Sequence, residues 1–395
     1  MEDQRQYDLV LFGATGFTGG LTAEYLAEQA PEGLRWALVG RNRSKLEAVA
    51  ARLAERAPAA PAPELLVADA ADREALRGVA EATRVVITTV GPYALYGEPL
   101  VAACAAAGTD YVDLTGEPEF VDRMWIEHHA EAERSGARLV HCCGFDSIPH
   151  DLGAYFTVKQ LPEGVPLKVN GYVRSNATFS GGTYHSAINA FGRARQTLSA
   201  AKERRRLEQR PSGRSIHSAP ARVRRDRQLG GWAVPLPTID GPIVLRSAAA
   251  LERYGPDFTY GHNLLAKHLT SVGALAAGVG SGFAFAQLPP TRKLMLKMKS
   301  PGEGPSEAKR SQSWFKVLFV GEGGGRRVVT EVSGGDPGYT ETAKMLAESG
   351  LCLAFDDLPA TSGQVTTATA MGDALLERLQ KAEMTFRVIE TLENG

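Results

Sequence analysis

Residues 7–29 constrain the fold more than any other part of the chain. Tyr7–Phe12 reads YDLVLF, a short apolar run of strand formers. GATGFTG follows at once, with Gly13, Gly16 and Gly19 three residues apart. LTAEYLAEQA then sets Leu21, Tyr25 and Leu26 on one helical side. Strand, glycine turn and helix in that order is the context in which such glycines hold a dinucleotide. The turn is tight, so Gly13 is expected at positive φ. Gly16 lets backbone amides approach a pyrophosphate with no Cβ between them, and Gly19 lets the helix lie close to the strand. The phosphates then rest on a helix N-terminus, where free N–H groups and the dipole favour anions. Thr15, Phe17 and Thr18 share the turn and are counted with it as cofactor-binding. The plain alternative is a strand–helix turn with no ligand.

The second strand indicates which dinucleotide. Trp36–Gly40 (WALVG) runs into Arg41-Asn42-Arg43-Ser44-Lys45, and no acid lies between Trp36 and Lys45. NAD enzymes place an Asp or Glu here for the ribose 2′-hydroxyl, whereas an Arg accommodates a 2′-phosphate with its planar fork of donors. Arg41 and Arg43 therefore predict NADP(H). Lys45 either joins them or is a solvated charge on the next helix.

The rest of the first half repeats the pattern. Leu65–Ala68 is a third strand ending at Asp69, which accepts from an adenine amino group or caps the following helix. Arg84–Val90 (RVVITTV) is a fourth, continuously apolar as in a parallel sheet buried on both faces. It ends in Gly91-Pro92-Tyr93, where an open α/β sheet binds its ligand, so Gly91, Pro92 and Tyr93 are placed near the nicotinamide. Tyr111–Leu114 is a fifth strand and Leu139–Cys143 a sixth, followed by Gly144 to His150. The fold class is α/β: a Rossmann-type doubly wound parallel sheet over 1–155 and a second α+β domain with a mixed or antiparallel sheet over 156–370. That second sheet is expected from VNGYVRS, WAVPLP, IVLRSAAAL, WFKVLFVGE and RRVVTEVSG, with helices near 185–209 and 339–349. The second domain is the expected place for substrate and homodimer contacts. Residues 371–395 supply a helix and a strand that pack back on the first domain.

Bulk properties narrow the partners. A net charge of −1 over 395 residues, with mixed signs, points away from nucleic acid. Four cysteines, two of them adjacent (Cys142, Cys143), do not form a disulfide framework, and the polar start MEDQRQYD is no signal peptide; a reduced cytoplasmic setting is expected. Leu269–Leu288 holds no charged residue and is long enough to span a bilayer. A spanning helix, a lipid- or substrate-facing helix giving peripheral membrane contact, and a buried helix or loop remain open, the last being the default. Residues 193–227 hold twelve Lys or Arg, a field that attracts an acidic carrier protein or an anionic membrane, or else a solvated face.

Taken together, GATGFTGG, GRNRSKL, VGPYALYGEPLVAAC, DLTGEPEF and CGFDSIPHDLG resemble the saccharopine dehydrogenase-like oxidoreductases, and within them the trans-acting enoyl reductases and the animal saccharopine dehydrogenase-like proteins. The match is dense over 7–155 and weaker through GGTYHSA (181–187) and GGDPGYTETAKM (334–345). The resemblance implies an NADP-dependent enoyl reductase working in trans with a polyketide synthase or its acyl carrier on a lipid-like acyl thioester. Saccharopine dehydrogenases proper share the nucleotide domain, with a different substrate domain expected. An NADP-binding redox sensor or scaffold without turnover is the alternative.

Enoyl reduction needs a donor for the thioester oxygen and a proton for the α-carbon. Tyr93 and Tyr96 follow the fourth strand and carry hydroxyls. Asp146 and His150 follow the sixth, and His185 comes from GGTYHSA. Tyr93, Asp146 and His185 are the catalytic candidates. Each has a plainer role: Tyr93 as a stacking or turn-filling ring, Asp146 as cap of the helix beginning near Ser147, His150 as an exposed first-turn residue. Glu117 is a second capping candidate. Cys142 and Cys143 suit packing. No metal spacing appears, since His128 and His129 are adjacent and face apart.

Overall fold

The computed structural model describes residues 5–177, 188, 192–209, 211–227, 229–297 and 305–393. The first half builds a seven-stranded parallel sheet from β1 (Tyr7–Phe12), β2 (Trp36–Gly40), β3 (Glu64–Val67), β4 (Thr83–Thr88), β5 (Asp110–Asp113), β6 (Arg138–Val140) and, from far along the chain, Gly363–Val365. The spatial order is β3-β2-β1-β4-β5-β6 with Gly363–Val365 at the edge. The order reverses between β1 and β4, which is the ligand crevice of a doubly wound sheet. Every residue of β1 and β2 is buried, because helices cover both faces. These helices include α1 (Phe17–Gln29), α2 (Arg43–Arg56), α3 (Arg73–Ala82), the single turn α4 (Tyr93–Tyr96), α5 (Glu98–Ala107) and α6 (Pro118–Ser135).

Helix α7 (Ile148–Val158) leads to the second sheet, whose strand β7 (Leu167–Ser175) sits between Phe315–Gly323 and Asp257–Ala266. The sheet is mixed: β7 runs parallel to Asp257–Ala266 and antiparallel to Phe315–Gly323. The helix Thr340–Phe355 carries the chain back to the first sheet before Gly363–Val365 joins β6. The helix Gly372–Lys381 follows, and the strand Thr385–Glu393 pairs with Arg326–Gly334 in the second sheet.

Two expected strands change. IVLRSAAAL is not a strand; Asp240–Ala250 is a helix, burying Ile243, Val244, Ser247 and Ala248 at helical spacing. Its alanines favour helix, and Pro242 is tolerated in the first turn, once the apolar positions have a face to cover. The sixth strand stops at Val140 rather than Cys143, because Cys142 takes a positive φ of 64°. The apolar segment from 269 forms the helix Leu269–Ala286. Where burial is described, Ala286 is buried but Phe283, Phe285 and, just beyond, Leu288 stand exposed, so the buried default does not hold there. Among the described residues no helix is long and apolar enough to cross a membrane.

Candidate functional site

The glycine turn has the expected form. Gly13 has φ 94°, its N–H donates to Val39 O at 2.9 Å, and Gly16 N–H donates back to Gly13 O at 3.0 Å. A Cβ on Gly19 would lie 2.1 Å from Gly13 O and 2.8 Å from Thr89 Oγ1, so α1 is seated hard against the turn and the end of β4. A Cβ on Gly16 would meet only Gly13 O, at 3.4 Å, so open space lies over this residue. Gly16 is the N-cap of α1, with no side-chain cap and no acid in the first turn. Exposed Thr15 and half-buried Phe17 and Thr18 flank it, and the Phe17 ring packs edge-on against Tyr339 at 4.8 Å. Orphan N–H groups, helix dipole and a glycine-cleared surface together make an anion cradle.

Arg41 stands at the end of β2, largely exposed, with Asp69 at 3.9 Å. Asp69 caps no helix: its carboxylate accepts from Ala71 N, and Asp72 caps α3. Arg43 begins α2, its guanidinium near Glu47 at 3.3 Å, and Lys45 N–H donates to the capping Asn42 side chain. Arg41 and Arg43 are thus presented beside the turn on an exposed edge, with little to hold them elsewhere.

Beyond the carboxyl ends of β4, β5 and β6 the motifs interlock. The Glu117 carboxylate accepts from Tyr93 N (3.1 Å) and Ala94 N (3.0 Å), so it caps α4 rather than α6. Tyr93 turns inward. Its ring lies 5.7 Å from Phe120, and its hydroxyl donates to Thr88 O at 3.0 Å. Burial pushes that phenol well above its ordinary range. The hydroxyl expected to face the nicotinamide is committed to the main chain, and Tyr96 is the exposed tyrosine of the pair. Asp113 accepts from Cys142 N and Thr115 N, both at 3.0 Å, and meets His141 Nδ1 at 2.6 Å, fixing the loops after β5 and β6. Burial also raises the Cys142 and Cys143 thiols, which act as packing groups.

Asp146 is held on this frame without being consumed by it. Phe145 N–H donates to Thr342 Oγ1 at 3.1 Å, and Ser147, not Asp146, is the N-cap of α7. Among the described residues no hydrogen-bond or ionic partner contacts the Asp146 carboxylate, which lies against Gly116; a Cβ there would approach it to 3.2 Å. Burial, and then the charge of Asp240, push its carboxyl up to about 7. His150 is buried, not exposed; burial brings its imidazole down to about 4. His185 lies outside the described residues.

Two further residues had no signal in the sequence. Asp240 opens the helix Asp240–Ala250, and His262 lies in the strand Asp257–Ala266. His150 Nε2 and His262 Nε2 each lie 3.4 Å from an Asp240 oxygen. Burial raises the Asp240 carboxyl, but the two imidazoles outweigh it and the net shift is downward. No spacing rule finds such a group, because its members sit on three elements.

The basic stretch is partly absorbed. Arg193 pairs with Glu119 at 2.6 Å, buried Arg204 meets Asp122 and Glu208, and Arg214 donates to backbone carbonyls. Lys202, Arg205 and Arg206 remain exposed on the helix Ala194–Leu207. Arg210 lies outside the described residues.

Residues 9–140 match the sequence profile of the saccharopine dehydrogenase NADP binding domain. Over nearly its full length the chain is similar to mycobacterial trans-acting enoyl reductases. A Mycobacterium tuberculosis protein, whose name gives that activity provisionally, is 39% identical over 416 residues, covering 97% of either chain. The trans-acting enoyl reductase of Mycobacterium ulcerans is 36% identical over 411 residues, covering 95% of this chain and 96% of its own. Among solved structures, apo saccharopine dehydrogenase (L-Glu forming) from Saccharomyces cerevisiae gives a TM-score of 0.55 at 12% identity, covering 97% of this chain and 99% of that one. This likeness is one of fold alone. It reaches beyond the nucleotide-binding half, although a different second domain is expected from the sequence.

Proposed function

The chain belongs to the saccharopine dehydrogenase-like oxidoreductases, an NADP-binding family that includes the trans-acting enoyl reductases, and from that premise we propose that it reduces the double bond of an α,β-unsaturated acyl thioester. The substrate is a polyketide- or lipid-type chain presented in trans by a carrier or synthase. The residues fit the cofactor: a cradle over Gly16 that a Cβ would fill, an α1 N-terminus without an acid, and Arg41 and Arg43 where a 2′-phosphate would lie. Bound NADPH supplies the hydride that adds at the β-carbon.

The chain must supply the rest. The turn amides and the α1 N-terminus hold the pyrophosphate. Asp146 supplies the proton for the α-carbon. The observation that carries this assignment is its carboxyl, half-buried beside Gly116 at the ligand edge of the sheet and without a partner among the described residues. A carboxyl titrating near neutrality is protonated often enough to donate and basic enough to be refilled from solvent. Tyr96, exposed on α4, is the hydroxyl that can meet the developing negative charge on the thioester oxygen. Exposed Lys202, Arg205 and Arg206 offer an acidic carrier a place to dock.

Stopped-flow oxidation of NADPH against a panel of enoyl and ketoacyl thioesters tests the reading. Turnover of enoyl thioesters in preference to ketoacyl ones is expected. Preference for the keto series overturns the double-bond assignment, and tight NADPH binding with no turnover across the panel favours the sensor.

A further inference from the structure

The residues His150, Asp240 and His262 form a group that neither cofactor binding nor the proton donor uses. They come from the first turn of α7, the first residue of the helix Asp240–Ala250 and the strand Asp257–Ala266. All three side chains are at most 7% exposed. One donor atom from each lies within 4.8 Å of the others.

Hydrogen bonding explains the group poorly. Hydrogen bonds from an imidazole N–H to a carboxylate run at about 2.7–2.9 Å. Here both Nε2–oxygen separations are 3.4 Å; the Asp240 carboxylate takes a hydrogen bond from Thr238, yet its buried Oδ1 and His150 Nδ1 have no hydrogen-bond partner among the described residues. His150 Nε2 faces Asp240 Oδ1 and His262 Nε2 faces Oδ2, each at 3.4 Å; bonds of about 2.0–2.1 Å in a tetrahedral site put neighbouring donor atoms roughly 3.3–3.4 Å apart, so each pair has the spacing of two ligands on one ion, with the carboxylate turning both oxygens toward it. Charge points the same way. Asp240 and nearby Asp146 are two acids in a buried region, and among the described residues neither pairs with a Lys or Arg. The Tyr260 hydroxyl lies 3.4 Å from His262 Nδ1, where it can orient that ring as an outer-shell partner.

We propose that His150, Asp240 and His262 bind one divalent transition-metal ion of the zinc class. Two imidazoles and one carboxylate are the hard–borderline donor set that zinc accepts, and three protein ligands leave a fourth position open. The ion ties α7 to two elements of the second half of the chain, and its ligand His150 follows Asp146 by four residues.

The test uses the full chain and zinc itself, with no activity readout. Protein equilibrated with zinc and then gel-filtered is assayed for metal by mass spectrometry, for affinity against a chromophoric chelator, and for Tm with and without EDTA. One zinc per chain and a Tm that falls on chelation are expected. His262→Gln keeps an N–H donor near the Asp240 carboxylate, so a hydrogen-bonded clamp tolerates it, whereas a zinc site loses affinity by at least ~100-fold. Asp240→Asn is expected to lose zinc as well, and His128→Gln, at a separate cluster with Glu98 and Glu127, to keep it. Wild-type protein that retains no zinc overturns the proposal whether or not the variants fold. So does zinc retained by both His262→Gln and Asp240→Asn.

Discussion

Gly16 and Gly19 occupy one turn, yet the structure separates what each does. At Gly19 an added Cβ would stand 2.1 Å from Gly13 O and 2.8 Å from Gly13 C. Ordinary contact begins near 3.4 Å, so α1 must retreat by about 1 Å. The turn cannot follow, because Gly13 is bonded to Val39 O and Thr89 N–H donates to Phe12 O at 3.0 Å. Retreat unseats Ala23, Leu26 and Ala27, the buried face of α1. Overpacking of this kind costs about 1–3 kcal/mol, so Gly19→Ala is expected to lower Tm by several degrees. Gly16 differs in both respects. Its φ of −79° suits any residue, and a Cβ would meet only Gly13 O at 3.4 Å. Gly16→Val is therefore expected to unfold at the wild-type temperature while losing NADPH affinity by ~100-fold or more, about 2.7 kcal/mol, because the side chain fills the pyrophosphate's place. Scanning calorimetry and NADPH titration on the two variants decide the matter. A folded Gly16→Val that binds NADPH as wild type does, or a Gly19→Ala as stable as wild type, would refute the reasoning.

Three other outcomes are expected. Arg41→Ala weakens NADPH binding by ~10–100-fold, the loss of a charge-assisted hydrogen bond, and leaves NADH nearly unchanged; equal loss for both in a titration removes Arg41 from the 2′-phosphate. Asp146→Asn keeps NADPH binding but loses most of kcat, and the wild-type rate of the metal-free protein falls as pH rises through about 7, where the proton is lost. Because the folded value lies above the unfolded one, this carboxyl contributes stability that is fully present below about pH 4 and lost as pH rises through about 7, so denaturation of wild type against Asp146→Asn should diverge in that window. Reversing Lys202, Arg205 and Arg206 to Glu raises the apparent KM for a carrier-bound thioester but not for a short soluble one, and the gap narrows with salt; equal effects on both substrates leave these residues as solvated surface.

The nucleotide-binding half was legible because its determinants are local. A turn that needs positive φ at Gly13, a helix that must touch it at Gly19 and a strand end that carries Arg instead of an acid are written within some forty residues, and backbone sterics allow few other outcomes. The second half was less legible where local preference was balanced. Ile243 to Leu251 suits a strand or a helix by composition, and burial of one helical face decided it. The site itself needed the tertiary structure. Burial, and the absence of a partner among the described residues, are not properties of the segment GFDSIPH, and they distinguish Asp146 from a cap. Tyr93 reads as a free phenol until Thr88 O and Phe120 are seen beside it. His150, Asp240 and His262 meet only because α7 crosses from one sheet to the other. The sequence determined the local conformations of the nucleotide-binding half and the cofactor they suit; which distant side chains share a buried volume, and hence which of them titrate, donate or ligate, was decided by packing.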